Sequence, residues 1–107
     1  MKPVADKAEV SVDFPDKTYM GSFGHEAEFD VRSEDDGVVL KLLRRGAERR
    51  EVSIHMHYYL LADVIGAMAE LFAAQPAIDE AHREPLFDAA NALRSALKKQ
   101  VAICKTG

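Results

Sequence analysis

The sequence predicts an α+β fold in which the strands come first and the helices follow. Residues 8–56 contain several runs in which apolar and polar residues alternate, which is the period of a half-buried strand. Residues 57–75 and 85–103 repeat their apolar residues at intervals of three and four, which is the helical period. We therefore expect an antiparallel meander of three to four strands, covered on one face by two closely packed antiparallel helices, in the order β-β-β-β-α-α.

Length and composition indicate one small globular domain. The chain has 107 residues and a net charge of −4, which fits a single domain over 1–107 and argues against a general nucleic-acid binder. We expect residues 1–7 to be a loose N-terminus, and their lack of an apolar segment predicts a cytoplasmic protein without a signal peptide. The only cysteine, Cys104, excludes an internal disulfide and a multi-cysteine zinc site.

In the first half of the predicted sheet, the sequence predicts one strand and leaves the next segment open. Alternation over 10–14 predicts a strand, which we expect to be the fourth strand of the meander, and Pro15 predicts a turn after it. Residues 18–24 stay open between strand and loop, because Gly21 and Gly24 favour a bulge or a loop.

A hairpin is predicted around Asp36-Gly37. Residues 27–32 alternate as a strand, and the Asp-Gly pair is typical of a type I′ turn. A two-residue loop there pairs Val31 with Leu42 and Glu28 with Arg45. This register places one apolar set on a single face: Phe29, Val31, Leu40 and Leu42.

The next hairpin, 44–50, carries the candidate nucleic-acid-binding residues Arg44, Arg45, Arg49 and Arg50. Pairing Leu42 with Val52 makes the arginines of one strand face those of the other. Like charges directly opposite destabilise a hairpin, so something should compensate them. The compensation comes either from nearby glutamates (Glu28, Glu48 and Glu51) or from an external anion such as a nucleic-acid phosphate.

The central helix, 57–75, is predicted to be buried. Its large apolar residues cover one side, and a stripe of small residues runs beside them: Ala62, Gly66, Ala69 and Ala73. Only a narrow edge around Asp63 and Glu70 is polar, so we expect the large side to cover the sheet and the small side to contact the second helix. The two acidic residues also interrupt the apolar run, which argues against a membrane span.

The second helix, 85–103, is expected to begin at Pro85, since proline suits a first helical turn. Its apolar stripe consists of Leu86, Ala90, Leu93, Leu97 and Val101.

His55 and His57 form the candidate metal site. Two residues at i and i+2 of a strand point to the same side and could share a metal ion. A third ligand would have to come from His25, His82 or a carboxylate elsewhere. The alternative is that His57 caps the helix or faces solvent.

These observations leave three functional hypotheses. The first is a non-catalytic protein-interaction module that forms a homodimer or other homo-oligomer through a sheet face or edge. The second is a nucleic-acid-binding regulatory module that uses the arginine hairpin, and the third is a metal- or small-ligand-binding domain that uses the two histidines. No group of residues meets the requirements of a catalytic site, so we expect neither an enzyme nor a cofactor.

Overall fold

The computed structural model describes residues 1–46 and 48–106, and confirms the α+β class with strands preceding helices. The elements are β1 Lys2–Pro3, β2 Ala8–Phe14, β3 Lys17–Phe23, β4 Ala27–Glu34, β5 Gly37–Arg44, β6 Arg50–His57, α1 Tyr58–Ala74 and α2 Glu80–Thr106. The chain divides into two compact units, Met1–Met68 and one that begins at Ala69. The expectation of a single domain over 1–107 stays a prediction. The tip of the arginine hairpin at Ala47 and the side chain of Cys104 lie outside the described part.

The described strands form two antiparallel sheets rather than one meander. One sheet has four strands in the order β1-β4-β5-β6, and the other is the hairpin of β2 and β3. The prediction that 10–14 is the fourth strand of the meander was therefore wrong. The short turn at Pro15-Asp16 makes β2 pair locally with β3, in the register Val10↔Gly21. Residues 18–24, left open by the sequence, are mostly strand.

The N-terminus is not loose. Lys2 pairs with Phe29, and the Val4 amide donates a hydrogen bond of 3.0 Å to the Ala27 carbonyl. The Val4 side chain is buried. These contacts make β1 the edge strand of the larger sheet, although two residues are too few to show an alternating pattern in the sequence.

The β4–β5 hairpin differs from the predicted register by two residues. Val31 pairs with Leu40, and Glu34 pairs with Gly37, so the turn lies at Asp35-Asp36. The predicted type I′ turn was wrong because Gly37 does not have a positive φ. Glycine is needed there because an added Cβ would lie 2.2 Å from the Met56 carbonyl oxygen. The predicted face is still apolar, because a shift of two residues leaves each side chain on the same side of the sheet.

The core lies between the β2–β3 hairpin and one end of the larger sheet. Its buried members are Val4, Phe23, Ala27 and Leu42, with Ala8, Val10, Phe29 and Val52 packed against them. The β2–β3 hairpin thus covers the apolar sheet face at this end. Towards the other end of the same face, Val31 and Ile54 are exposed.

The two helices lie close to their predicted positions, but their residues are less buried than predicted. Helix α1 agrees with 57–75 to within one residue at each end. Helix α2 begins at Glu80, before the expected start, and Pro85 lies inside it. Asp79 explains the earlier start, because its backbone carbonyl accepts hydrogen bonds from the amides of His82 (3.1 Å) and Arg83 (2.9 Å).

The prediction of a buried central helix was wrong for the single chain. No residue of α1 is buried, and every residue of α2 whose side chain is described is exposed. The helical period only shows that one side of a helix is apolar. It does not show whether the same chain covers that side.

Candidate functional site

The innermost arginines of the hairpin bind the neighbouring strand β3. Arg44 and Arg50 pair across β5 and β6, as predicted. The Arg50 Nη1 donates a hydrogen bond of 2.6 Å to the Met20 carbonyl, and the Arg44 Nη1 donates one of 3.3 Å to the Ser22 carbonyl. Both guanidinium groups also lie 3.7 Å from Glu48, which offsets their mutual repulsion.

The two outer arginines also have carboxylate partners within the chain. Arg45 lies 3.5 Å from Glu28, although Glu28 pairs with Leu43 and not with Arg45 as predicted. Arg49 donates a hydrogen bond of 3.0 Å to Glu51. The predicted internal compensation is therefore present for all four arginines, which supports a structural role more than phosphate binding.

The carboxylate of Glu51 pairs with two cations, Lys41 and Arg49. The hydrogen bond from Lys41, 2.7 Å long, and the nearby charge of Arg49 hold the pKa of Glu51 below its ordinary value of 4.5. Partial desolvation opposes this shift. The carboxylate stays ionised at neutral pH and balances both cations.

An open groove of about 630 Å³ runs beside these arginines, along β2 and β3. Its charged lining consists of Glu9, Arg44, Glu48 and Arg50. The two arginines there are already bonded to backbone carbonyls and Glu48. The groove lining also includes the hydroxyl side chains of Ser11 and Ser22.

The two candidate metal ligands do lie together, and they have a third partner that the sequence analysis did not name. The rings of His55 and His57 are stacked with centroids 4.9 Å apart and an angle of 21° between their planes. The carboxylate of Asp36 lies 2.8 Å from the His57 Nδ1 and 3.9 Å from the His55 Nε2. One donor atom from each of the three residues lies within 4.8 Å of the others.

Glu34 completes this cluster, with its carboxylate 3.7 Å from the His55 Nε2. The sequence analysis placed Asp36 in the predicted Asp36-Gly37 turn and did not group it with the histidines. In the observed register Gly37 pairs with both Glu34 and His57, so the turn lies beside the end of β6. The other histidines named as possible third ligands, His25 and His82, are not in this group.

Both helices carry large apolar side chains that are exposed. In α1 the exposed large side chains are Tyr58, Tyr59, Leu60, Ile65, Met68, Leu71 and Phe72. In the part of α2 with described side chains they are Leu86, Phe87, Leu93, Leu97, Val101 and Ile103. The sequence analysis placed the interaction surface on a sheet face or edge because it expected these residues to be covered.

No protein-family model, no curated protein and no solved structure matches this chain. Within the described residues, neither helix is long and apolar enough to cross a membrane.

Proposed function

We propose that this chain is a non-catalytic protein-interaction module that acts as a homo-oligomer, most simply a dimer, through the surfaces of α1 and α2. One observation carries the proposal: α1 contains seven large apolar side chains that are exposed, and no residue that is buried. Monomeric proteins seldom leave contiguous apolar patches of this kind uncovered, and larger patches mark interaction sites.

The free-energy gain from covering these side chains is large. Fully burying one large apolar side chain contributes about 1.5–3 kcal/mol, so a half-exposed one gains about 1 kcal/mol on being covered. Leu71 and Met68 are 56% and 51% exposed. In a symmetric dimer each such residue counts twice, because both copies contribute the same surface.

The spacing of the apolar residues suits helix-to-helix contact. Leu61, Val64, Met68 and Leu71 follow one another at intervals of three and four. Leu86, Ala90, Leu93 and Leu97 do the same in α2. This is the pattern of helices that bury a narrow apolar seam against other helices.

The charges favour a second copy as the partner. The only charged residues of α1 are acidic, Asp63 and Glu70. The last part of α2 carries Arg94, Lys98 and Lys99 and no acidic residue after Asp88. The acidic edge of α1 in one copy can therefore face the basic part of α2 in the other.

Two charge-introducing variants test the proposed surface. Leu71→Lys places an ammonium in the apolar seam, whereas Ala67→Lys places the same group on the polar edge between Asp63 and Glu70. Molar mass by light scattering should fall to that of a monomer for Leu71→Lys and stay unchanged for Ala67→Lys. If Leu71→Lys had the same molar mass as the unsubstituted chain, α1 would not be part of the interface.

A further inference from the structure

We propose that Asp36, His55 and His57 form a binding site for a divalent transition metal of the zinc class, with Glu34 as the fourth ligand. This inference is independent of the proposed oligomer. It rests on a cluster formed by the turn after β4 and the last residues of β6.

The distances fit a tetrahedral site after small side-chain rotations. Zinc ligands at about 2.0–2.1 Å from the metal lie about 3.3 Å from one another. Three of the six ligand separations are 2.8 Å (Asp36 Oδ2 with His57), 3.9 Å (Asp36 Oδ1 with His55) and 3.7 Å (Glu34 with His55), and the donor atoms of Asp36, His55 and His57 all lie within 4.8 Å of one another. These values bracket the required one, and all four side chains are exposed enough to adjust.

The backbone holds the ligands in place before any metal binds. Gly37 pairs with Glu34 on one side and with His57 on the other, so the two segments are neighbours in the sheet. The Tyr58 amide also donates a hydrogen bond of 3.0 Å to the Asp36 carbonyl. Only side-chain torsions therefore remain to be ordered on binding.

The types of ligand select the class of metal. Imidazole nitrogens suit zinc, copper, nickel and cobalt, whereas magnesium and calcium require mainly oxygen ligands. Two imidazoles with one or two carboxylates match known zinc-site compositions, in which three protein ligands leave a position for water. We therefore expect zinc to bind and magnesium not to bind.

Ion pairing alone is a weaker explanation of the cluster. A pair between exposed groups such as His57 and Asp36 contributes little, typically below about 1 kcal/mol. The i and i+2 spacing places the two rings side by side, and a shared metal would give their nitrogens and the Asp36 carboxylate a common partner.

The site would also connect the turn to the start of α1. His57 is the last residue of β6, and α1 begins at the next residue, Tyr58. A metal bound by Asp36 and His57 crosslinks these segments and should raise the melting temperature of the whole chain, since it binds the folded form alone.

Isothermal titration calorimetry tests the site. Untagged protein comprising residues 1–107 is stripped with a chelator and titrated with zinc chloride in a Cys104→Ser background, which removes the thiol as an alternative ligand. We expect one zinc per chain with a Kd of about 10 µM or tighter, and no heat with magnesium chloride. His57→Gln and Asp36→Asn should each weaken zinc binding by about tenfold or more.

His25→Gln is the matched control and should bind zinc as the parent does. Cobalt titration gives a second readout, because tetrahedral cobalt absorbs strongly in the visible range, and His57→Gln should lose this absorption. The proposal is overturned if the parent binds no zinc. It is equally overturned if folded His57→Gln and Asp36→Asn, checked by circular dichroism, bind zinc as tightly as His25→Gln does.

Discussion

The guanidinium of Arg50 donates a hydrogen bond of 2.6 Å to the backbone carbonyl of Met20, thirty residues earlier in the chain. This contact joins β6 of the larger sheet to β3 of the hairpin that covers the core. It gives the arginine hairpin a structural function that does not depend on any ligand.

Replacing Arg50 with glutamine should therefore destabilise the fold. A hydrogen bond from a charged donor contributes about 1.5–3 kcal/mol, and partial exposure of Arg50 reduces the expected loss to about 1 kcal/mol. Urea unfolding at a fixed protein concentration measures it. Arg49→Gln is the control, because Arg49 pairs only with the exposed Glu51 in the described structure, and its loss should cost less than about 0.5 kcal/mol. Equal losses for the two variants would contradict the role assigned to Arg50.

An oligonucleotide titration separates the structural role from nucleic-acid binding. If the arginines bound phosphate, oligonucleotide affinity would fall steeply with salt, and each arginine removed would weaken it. We expect no salt-dependent binding in a fluorescence anisotropy titration of the unsubstituted chain. Affinity that falls with salt and with Arg45→Gln would restore the nucleic-acid hypothesis.

Gly37→Ala should be strongly destabilising. The added methyl group would lie 2.2 Å from the Met56 carbonyl oxygen, so the β5–β6 pairing must shift to admit it. We expect a loss of about 2–3 kcal/mol in the free energy of unfolding. Gly24→Ala is the control, because the nearest heavy atom to its Cβ is a flexible side-chain oxygen of Glu26 at 3.8 Å. A Gly37→Ala variant as stable as Gly24→Ala would contradict the observed register.

Stability should fall in acid partly because of Glu51. Its pKa is lowered in the folded protein by the hydrogen bond from Lys41, so the folded state holds the ionised form more strongly than the unfolded state does. The stabilisation is complete above the ordinary pKa of 4.5 and is lost as the pH falls through the lower folded value. Thermal unfolding from about pH 6 to about pH 2.5 should thus show a smaller decrease for Glu51→Gln than for the unsubstituted chain. Identical pH profiles would show that the Lys41 contact does not persist in solution.

Much of the fold could be predicted from periodicity, and the errors have physical causes. The β5–β6 register was predicted correctly, because Leu42 with Val52 and Leu40 with Ile54 keep one face apolar. The β4–β5 register was wrong by two residues, because Asp36-Gly37 matches a turn signal while Gly37 is actually required by the approach of β6.

The candidate metal site could have been predicted more fully than it was. His55 and His57 were recognisable from their spacing, and the correctly predicted β5–β6 register already places Gly37 opposite His57 and thus Asp36 beside the histidines. Asp36 was missed because the Asp36-Gly37 pair was interpreted only as a turn. The burial of α1, by contrast, could not be predicted. A stripe such as Met68 and Leu71 has the same pattern whether its own chain or another copy covers it.

Sedimentation equilibrium of the unsubstituted chain over about 1–100 µM tests the central claim most directly. We expect a molar mass twice that of the 11.8 kDa chain at the upper concentrations, with reversible dissociation on dilution if the affinity lies in this range. A mass of 11.8 kDa at every concentration would contradict the proposal that a second copy covers α1 and α2.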